Sequence, residues 1–145
     1  MSLVVDASIV FRLLANVKGD DLLRQRLARK VHAPALIDVE IASVVRGHVI
    51  TSRPEVRISE ARARIMLERY AQLKIVRHPM PPLQPRVLEL RNNLTAYDGM
   101  YVALAELLGV PLLTDDVKFA GSAGHRAEIH RYPPPLVSPV PGSRE

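Results

Sequence analysis

Four acidic residues occupy positions that a carboxylate rarely takes without a reason. Asp6 directly follows the apolar run Ser2 to Val5, and Asp116 lies just past the apolar run Val110 to Leu113. Glu40 comes three residues after Ile37 and four before Val44, and Asp98 comes four after Leu94 and three before Tyr101. At helical spacing, Glu40 and Asp98 therefore fall in or beside the stripe that faces a core. An ionised carboxylate taken out of water must be paired, neutralised or bound to a cation. Several brought together repel one another, and they coexist only around a cation or with raised pKa values. An all-oxygen donor set suits Mg²⁺ or Mn²⁺ rather than zinc. The sequence has no cysteine, and its five histidines form no HExxH pair. A divalent ion held this way can orient and deprotonate a water for in-line attack on a phosphodiester, and a second ion would stabilise the leaving oxygen.

Each acid also has a plainer explanation. Asp6 and Asp116 are suited to cap the helices that follow them. Glu40 can pair with an arginine such as Arg46, and Thr95-x-x-Asp98 has the spacing of a capping box. Ser8, two residues after Asp6, and Thr114, two before Asp116, are placed to hydrogen-bond the carboxylates from outside, or to serve as ordinary caps and turns. Asp115 adjoins Asp116, so the assignment of the fourth acid is open to a slip of one residue; the spacing favours Asp116. Asp38 diverges from Glu40 on a helix and is read as a surface residue.

The elements that must position these residues alternate. Ser2 to Val5 reads as a strand and Ala7 to Ala15 as a helix. Asp20 to Lys30 reads as a second helix with Asp20 at its N-cap, and Val31 to Ala33 as a strand. Helices are expected over about 37–51, after Ser59 to about Lys74, and over 83–91. The clearest helix begins at Thr95, carries Tyr97, Met100, Tyr101, Leu104, Leu107 and Leu108, and stops at Gly109. Strands are expected over 75–77, 110–113 and 128–132, with a helical turn over 117–120. Short apolar strands alternating with helices imply an α/β domain with a short, mostly parallel central sheet. In such sheets ligands bind beyond the carboxyl ends of the strands, where Asp6 and Asp116 stand.

The 145 residues fit one domain over 1–132, followed by a proline-rich tail over 133–145 that is expected to be mobile. Apolar residues make up 48%, yet no run spans a bilayer, and the early carboxylate argues against a signal peptide. Absence of cysteine suits a reducing cytoplasm. The net charge is +5, carried mostly by arginine, and a basic surface attracts polyanions.

Taken in order, these motifs resemble the PIN-domain nucleases. Val4-Val5-Asp6-Ala7-Ser8 resembles the family's opening strand and first acid. Glu40, within Pro34-Ala35-Leu36-Ile37-Asp38-Val39-Glu40-Ile41-Ala42, resembles the second acid on its helix. Tyr97-Asp98-Gly99-Met100-Tyr101 is similar to the third-acid helix, with Gly99 where a small residue, often alanine, is usual, and Leu112-Leu113-Thr114-Asp115-Asp116 to the closing strand. The resemblance extends to about Tyr132 and is greatest to the VapC-like toxins of toxin–antitoxin pairs. It implies an α/β/α sandwich and a Mg²⁺- or Mn²⁺-dependent endoribonuclease with Asp6, Glu40, Asp98 and Asp116 as catalytic and metal-holding acids. It also implies a homodimer that acts on RNA, a VapB-like antitoxin that silences it, and operator DNA bound through that antitoxin. Three other readings stand beside this one: an RNA-processing nuclease of the same fold, a phosphoryl-accepting domain using Thr114 and Lys118 beside the acids, and a non-catalytic binding module.

Overall fold

The computed structural model describes residues 2–15 and 20–133, so the expected tail lies, apart from Pro133, outside the described residues. The sheet has five strands: β1 (Ser2–Val5), β2 (Lys30–Pro34), β3 (Ile75–His78), β4 (Leu112–Thr114) and β5 (Ile129–Arg131). Their spatial order is β3-β2-β1-β4-β5, and every pairing is parallel. The helices are α1 (Ala7–Ala15), α2 (Asp21–Arg26), α3 (Ile37–Ile50), α4 (Glu60–Gln72), α5 (Gln84–Glu89), α6 (Ala96–Leu108) and α7 (Lys118–Gly121), with a 3₁₀ turn at Pro81–Leu83. The architecture is the α/β domain with a parallel sheet that the alternation implies, layered as the sandwich that the resemblance implies. Helices α1, α3 and α4 pack together, and α6, backed by α5, lies against β1, β2 and β4.

The central strands explain why the apolar runs are unbroken. Val4 and Val5 of β1 and Leu112 and Leu113 of β4 are all fully buried, because helices cover both faces of a parallel sheet. Burying each such side chain contributes about 1.5–3 kcal/mol relative to leaving it exposed. Helix α3 adds Ile37, Ile41 and Val45 to the core, and α6 adds Tyr101, Val102, Leu104 and Ala105.

Local signals set the helix ends. The Ser59 side chain accepts from the Arg62 amide and starts α4, and Thr95 does the same for α6 through the Asp98 amide. Gly109 closes α6 in the left-handed region (φ 65°), where its amide reaches the Ala105 and Glu106 carbonyls.

Some expectations need correction. The second helix ends at Arg26 rather than Lys30, because Lys30 is drawn into the parallel ladder opposite Ser2. Asp20 stands at the N-cap position of α2, but its side chain makes no capping bond there. On α6, Tyr97 and Leu107 are exposed although their spacing fits the apolar stripe; the buried face is centred instead on Tyr101 to Ala105. Among the described residues, no helix is long and apolar enough to cross a membrane.

Candidate active site

The strand order reverses between β1 and β4. From β1 the chain proceeds to β2 and β3 on one side, then crosses back to β4 and β5 on the other. Such a switch point leaves a crevice at the carboxyl ends of the two strands. A pocket of about 360 Å³ is formed there by Asp6, Ser8, Glu40, Asp98, Asp115, Asp116, Tyr101 and Lys118, with Phe11 and Phe119 among its apolar walls. The four acids singled out by position are thus brought to one place from two strand ends and two helices.

Asp6 is the most deeply set, at 7% exposed. Its Oδ1 accepts from the Ser8 hydroxyl at 2.5 Å and from the Ile9 amide at 3.2 Å, and its Oδ2 accepts from the Thr114 hydroxyl. Burial pushes its carboxyl up to about 6, while the Ser8 and Thr114 hydroxyls and the Ile9 amide pull the other way. Asp6 therefore does cap α1, and it also belongs to the pocket. Thr114 is fully buried and also accepts from the Asp116 amide at 3.0 Å, which fixes the turn after β4. Ser8 accepts, at 3.4 Å, from the Asp115 amide, so both hydroxyls tie the end of β1 to the end of β4.

Glu40 has no arginine partner among the described residues, Arg46 included. Its Oε1 is buried and makes no hydrogen bond, and the same is true of the Tyr101 hydroxyl. Burial first, and then the nearby Glu40 carboxylate, raise the Tyr101 hydroxyl well above its ordinary range, although the two groups do not align as a hydrogen bond. Asp98 lines the pocket and is held by Thr95, although its carboxylate takes the Thr95 hydroxyl rather than the Thr95 amide that a full capping box would use. Its amide is capped by Thr95 at 3.3 Å, and its Oδ2 accepts from the Thr95 hydroxyl at 3.1 Å, which holds the side chain at the start of α6. Gly99 beside it would admit a methyl group, since a Cβ would meet Val87 at an ordinary 3.4 Å.

Asp116 supplies Oδ1 to the Lys118 amide at 3.0 Å. Its Oδ2 lies 3.2 Å from the Lys118 ammonium, which is also 2.9 Å from Asp98 Oδ2. These pairings, with Asp98 first, hold the lysine protonated. Asp115 lines the rim and is exposed. Asp38 lies apart: its Oδ1 accepts from the Tyr70 hydroxyl at 2.6 Å and from Arg77 Nε at 2.8 Å. Sequence reasoning placed Lys118 near the acids only within the phosphoryl-accepting alternative, and it did not find Tyr101 as a wall of the site. The signal for Lys118 was its position two residues after Asp116.

Among the described residues, no three acids or histidines close on one point as a ready coordination sphere. The donor chemistry nonetheless fits a hard cation. The groups are all carboxylates, one of them carries a buried oxygen without a partner, and the one cation among the pocket's described lining residues, Lys118, sits between two of them.

A family model described as "PIN domain" matches residues 3–124. Ribonuclease VapC12 of Mycobacterium tuberculosis is 38% identical over 128 residues, which is 88% of this chain and 96% of that protein. Ribonuclease VapC9 of the same organism is 37% identical over 132 residues, covering 90% of this chain and 98% of that one. Two solved structures share the fold. One is VapBC2 from Rickettsia felis bound to a DNA fragment from its promoter, with a TM-score of 0.63 at 12% identity, covering 90% of this chain and 98% of that one. The other is VapBC-5 from Mycobacterium tuberculosis, with a TM-score of 0.56 at 20% identity and the same two coverages.

Proposed function

The chain belongs to the PIN-domain family, on the branch of the VapC ribonucleases, and from that premise we propose that it is a metal-dependent endoribonuclease, the toxin of a VapBC-type pair. The observation that carries this reading is the convergence of Asp6, Glu40, Asp98 and Asp116 on one pocket at the switch point of the sheet, with Glu40 Oε1 buried and unpartnered. Those four residues would hold Mg²⁺ or Mn²⁺. When bound, the ion supplies Lewis-acid stabilisation of the phosphate and activation of the attacking water.

The residues of the chain do the positioning. Ser8 and Thr114 fix both oxygens of Asp6, so this carboxylate keeps its place. Thr95 fixes Asp98 at the first turn of α6. The Lys118 amide fixes Asp116, while Glu40 Oε1, near the Tyr101 hydroxyl, has no hydrogen-bond partner. Phe11 and Phe119 form an apolar wall beside the acids, which lowers the local dielectric and strengthens charge interactions in the pocket. The arginine-rich surface would hold the RNA backbone, with affinity that falls as salt rises.

The VapBC structures, one of them bound to a promoter DNA fragment, support a VapB-like antitoxin as the partner and operator DNA as a ligand of the pair; DNA contact through the antitoxin and a homodimeric working form are part of the same proposal. The proposed RNA substrate puts its action in the cytoplasm. The test is a magnesium titration of the partner-free protein against total cellular RNA, with Asp98→Asn alongside. Discrete metal-dependent fragments that vanish in the variant are expected. Equal cleavage by the folded variant would remove these acids from the chemistry.

A further inference from the structure

Lys118 stands in the acid pocket as its only cation among the described lining residues. Its ammonium bridges Asp98 Oδ2 at 2.9 Å and Asp116 Oδ2 at 3.2 Å, and so joins the start of α6 to the turn after β4. Asp6 and Glu40 are not among its partners. The pocket is thus divided. Its inner half, Asp6 and Glu40, has only neutral donors or none, and its outer half is partly neutralised from within the chain.

We propose that Lys118 is a tethered counterion that competes with the divalent cation for Asp98 and Asp116, and that it must swing out before both acids can serve the ion. The inference rests on the metal-dependent reading above. The two oxygens it occupies belong to acids assigned to the ion, and an oxygen paired with an ammonium is less available to another cation. The lysine is built to move. Its side chain is half exposed at the pocket's lip, and its long stem has several rotatable bonds. Its backbone is held: the amide donates to Asp116 Oδ1 at 3.0 Å, its carbonyl accepts from Ser122 Oγ at 2.7 Å, and the adjoining Phe119 is buried at 1% exposed. Only the ammonium needs to leave. In the metal-free protein it offsets part of the repulsion among the acids. In the metal-loaded protein it is released to the rim.

The test is Mn²⁺ binding to the full chain, read from the loss of the free-ion paramagnetic resonance signal, with cleavage not used as the readout. Lys118→Met should bind Mn²⁺ about three- to tenfold more tightly than the unsubstituted protein, as expected for one or two partly exposed ion pairs. Lys118→Arg, which keeps the charge, should bind no more tightly than the unsubstituted protein. Asp98→Asn should lose the binding, which locates the ion in this pocket. Saturating Mg²⁺ should also speed amine labelling of Lys118, mapped by peptide mass. Equal or weaker Mn²⁺ binding in Lys118→Met, or labelling unchanged by Mg²⁺, would overturn the competition while leaving the metal site intact. No Mn²⁺ binding by either protein would instead remove the metal-dependent reading, and the competition with it.

Discussion

Two aspartates are buried among the described residues, and their surroundings differ in kind. Asp6 is 7% exposed and Asp20 is 4% exposed. Asp20 accepts from Arg12 through two bonds, Nε to Oδ2 at 2.8 Å and Nη2 to Oδ1 at 3.0 Å, and its Oδ1 also accepts from the Tyr132 hydroxyl at 2.9 Å. Burial pushes its carboxyl up, but the Arg12 guanidinium and the Tyr132 hydroxyl outweigh it and hold the group below the ordinary carboxylate range. Asp6 is surrounded by two hydroxyls and an amide, all neutral, and burial takes it up to about 6. One acid is a finished structural joint linking α1, the start of α2 and the end of β5. The other lacks its countercharge. Burial alone does not distinguish the two acids; the presence or absence of a matched charge does.

The largest effect should come from breaking the finished joint. Arg12→Ala leaves Asp20 enclosed without its guanidinium, and removing one partner of a buried pair costs far more than the pair itself contributes. Because Arg12 is partly exposed, the expected loss is at the low end of that range, about 3 kcal/mol, read from urea unfolding at pH 7. A loss below about 1 kcal/mol would mean that water replaces the arginine, and the contrast with Asp6 would fail.

Asp6 should behave in the opposite sense. Its folded pKa, about 6, is above the ordinary 3.8, so the folded state holds the proton more tightly than the unfolded chain does. Stability of the metal-free protein should therefore fall as pH rises from about 4 through about 6 and stay low above that. Asp6→Asn should remove this dependence and stabilise the metal-free protein at pH 7 by on the order of 2 kcal/mol, while abolishing the proposed cleavage. Asp20→Asn should do the reverse, because a depressed carboxylate contributes stability above the ordinary range that is lost as pH falls through its folded pKa. Paired melts of the two Asn variants across pH 4 to 8 would decide the matter. Destabilisation by both at neutral pH would erase the distinction.

The contrast also separates what the sequence reveals from what it hides. The strands around Val4 and Leu112, the Ser59 and Thr95 caps and the Gly109 stop are local signals, carried by residues within a few positions of one another. The four acids were legible because each broke an apolar pattern, and Ser8 and Thr114 because they lie two residues from an acid. The Asp20 joint was not legible. Its partners lie eight and 112 residues away, and the local pattern suggested an N-cap instead. The same limit hid the bridge from Lys118 to Asp98 and the face that Tyr97 and Leu107 leave exposed. These depend on how α6 rotates against the sheet, which spacing alone does not fix.

The smallest effect is also the most discriminating. Tyr132→Phe removes one hydroxyl from Asp20 and leaves both arginine bonds in place. A hydrogen bond to a charged group contributes about 1.5 kcal/mol, so the variant should lose about that much at pH 7. The Asp20 carboxyl should rise toward its ordinary range, because the hydroxyl helps to hold it down. The acid limb of the stability profile should then move to higher pH, while the fall that comes from Asp6 stays where it was. If the two limbs moved together, Asp6 and Asp20 would be coupled through the sheet rather than acting as separate charges. Movement of the acid limb alone would establish that the joint and the pocket are electrostatically independent, which lets the pocket keep its unmatched acids without loosening the rest of the fold.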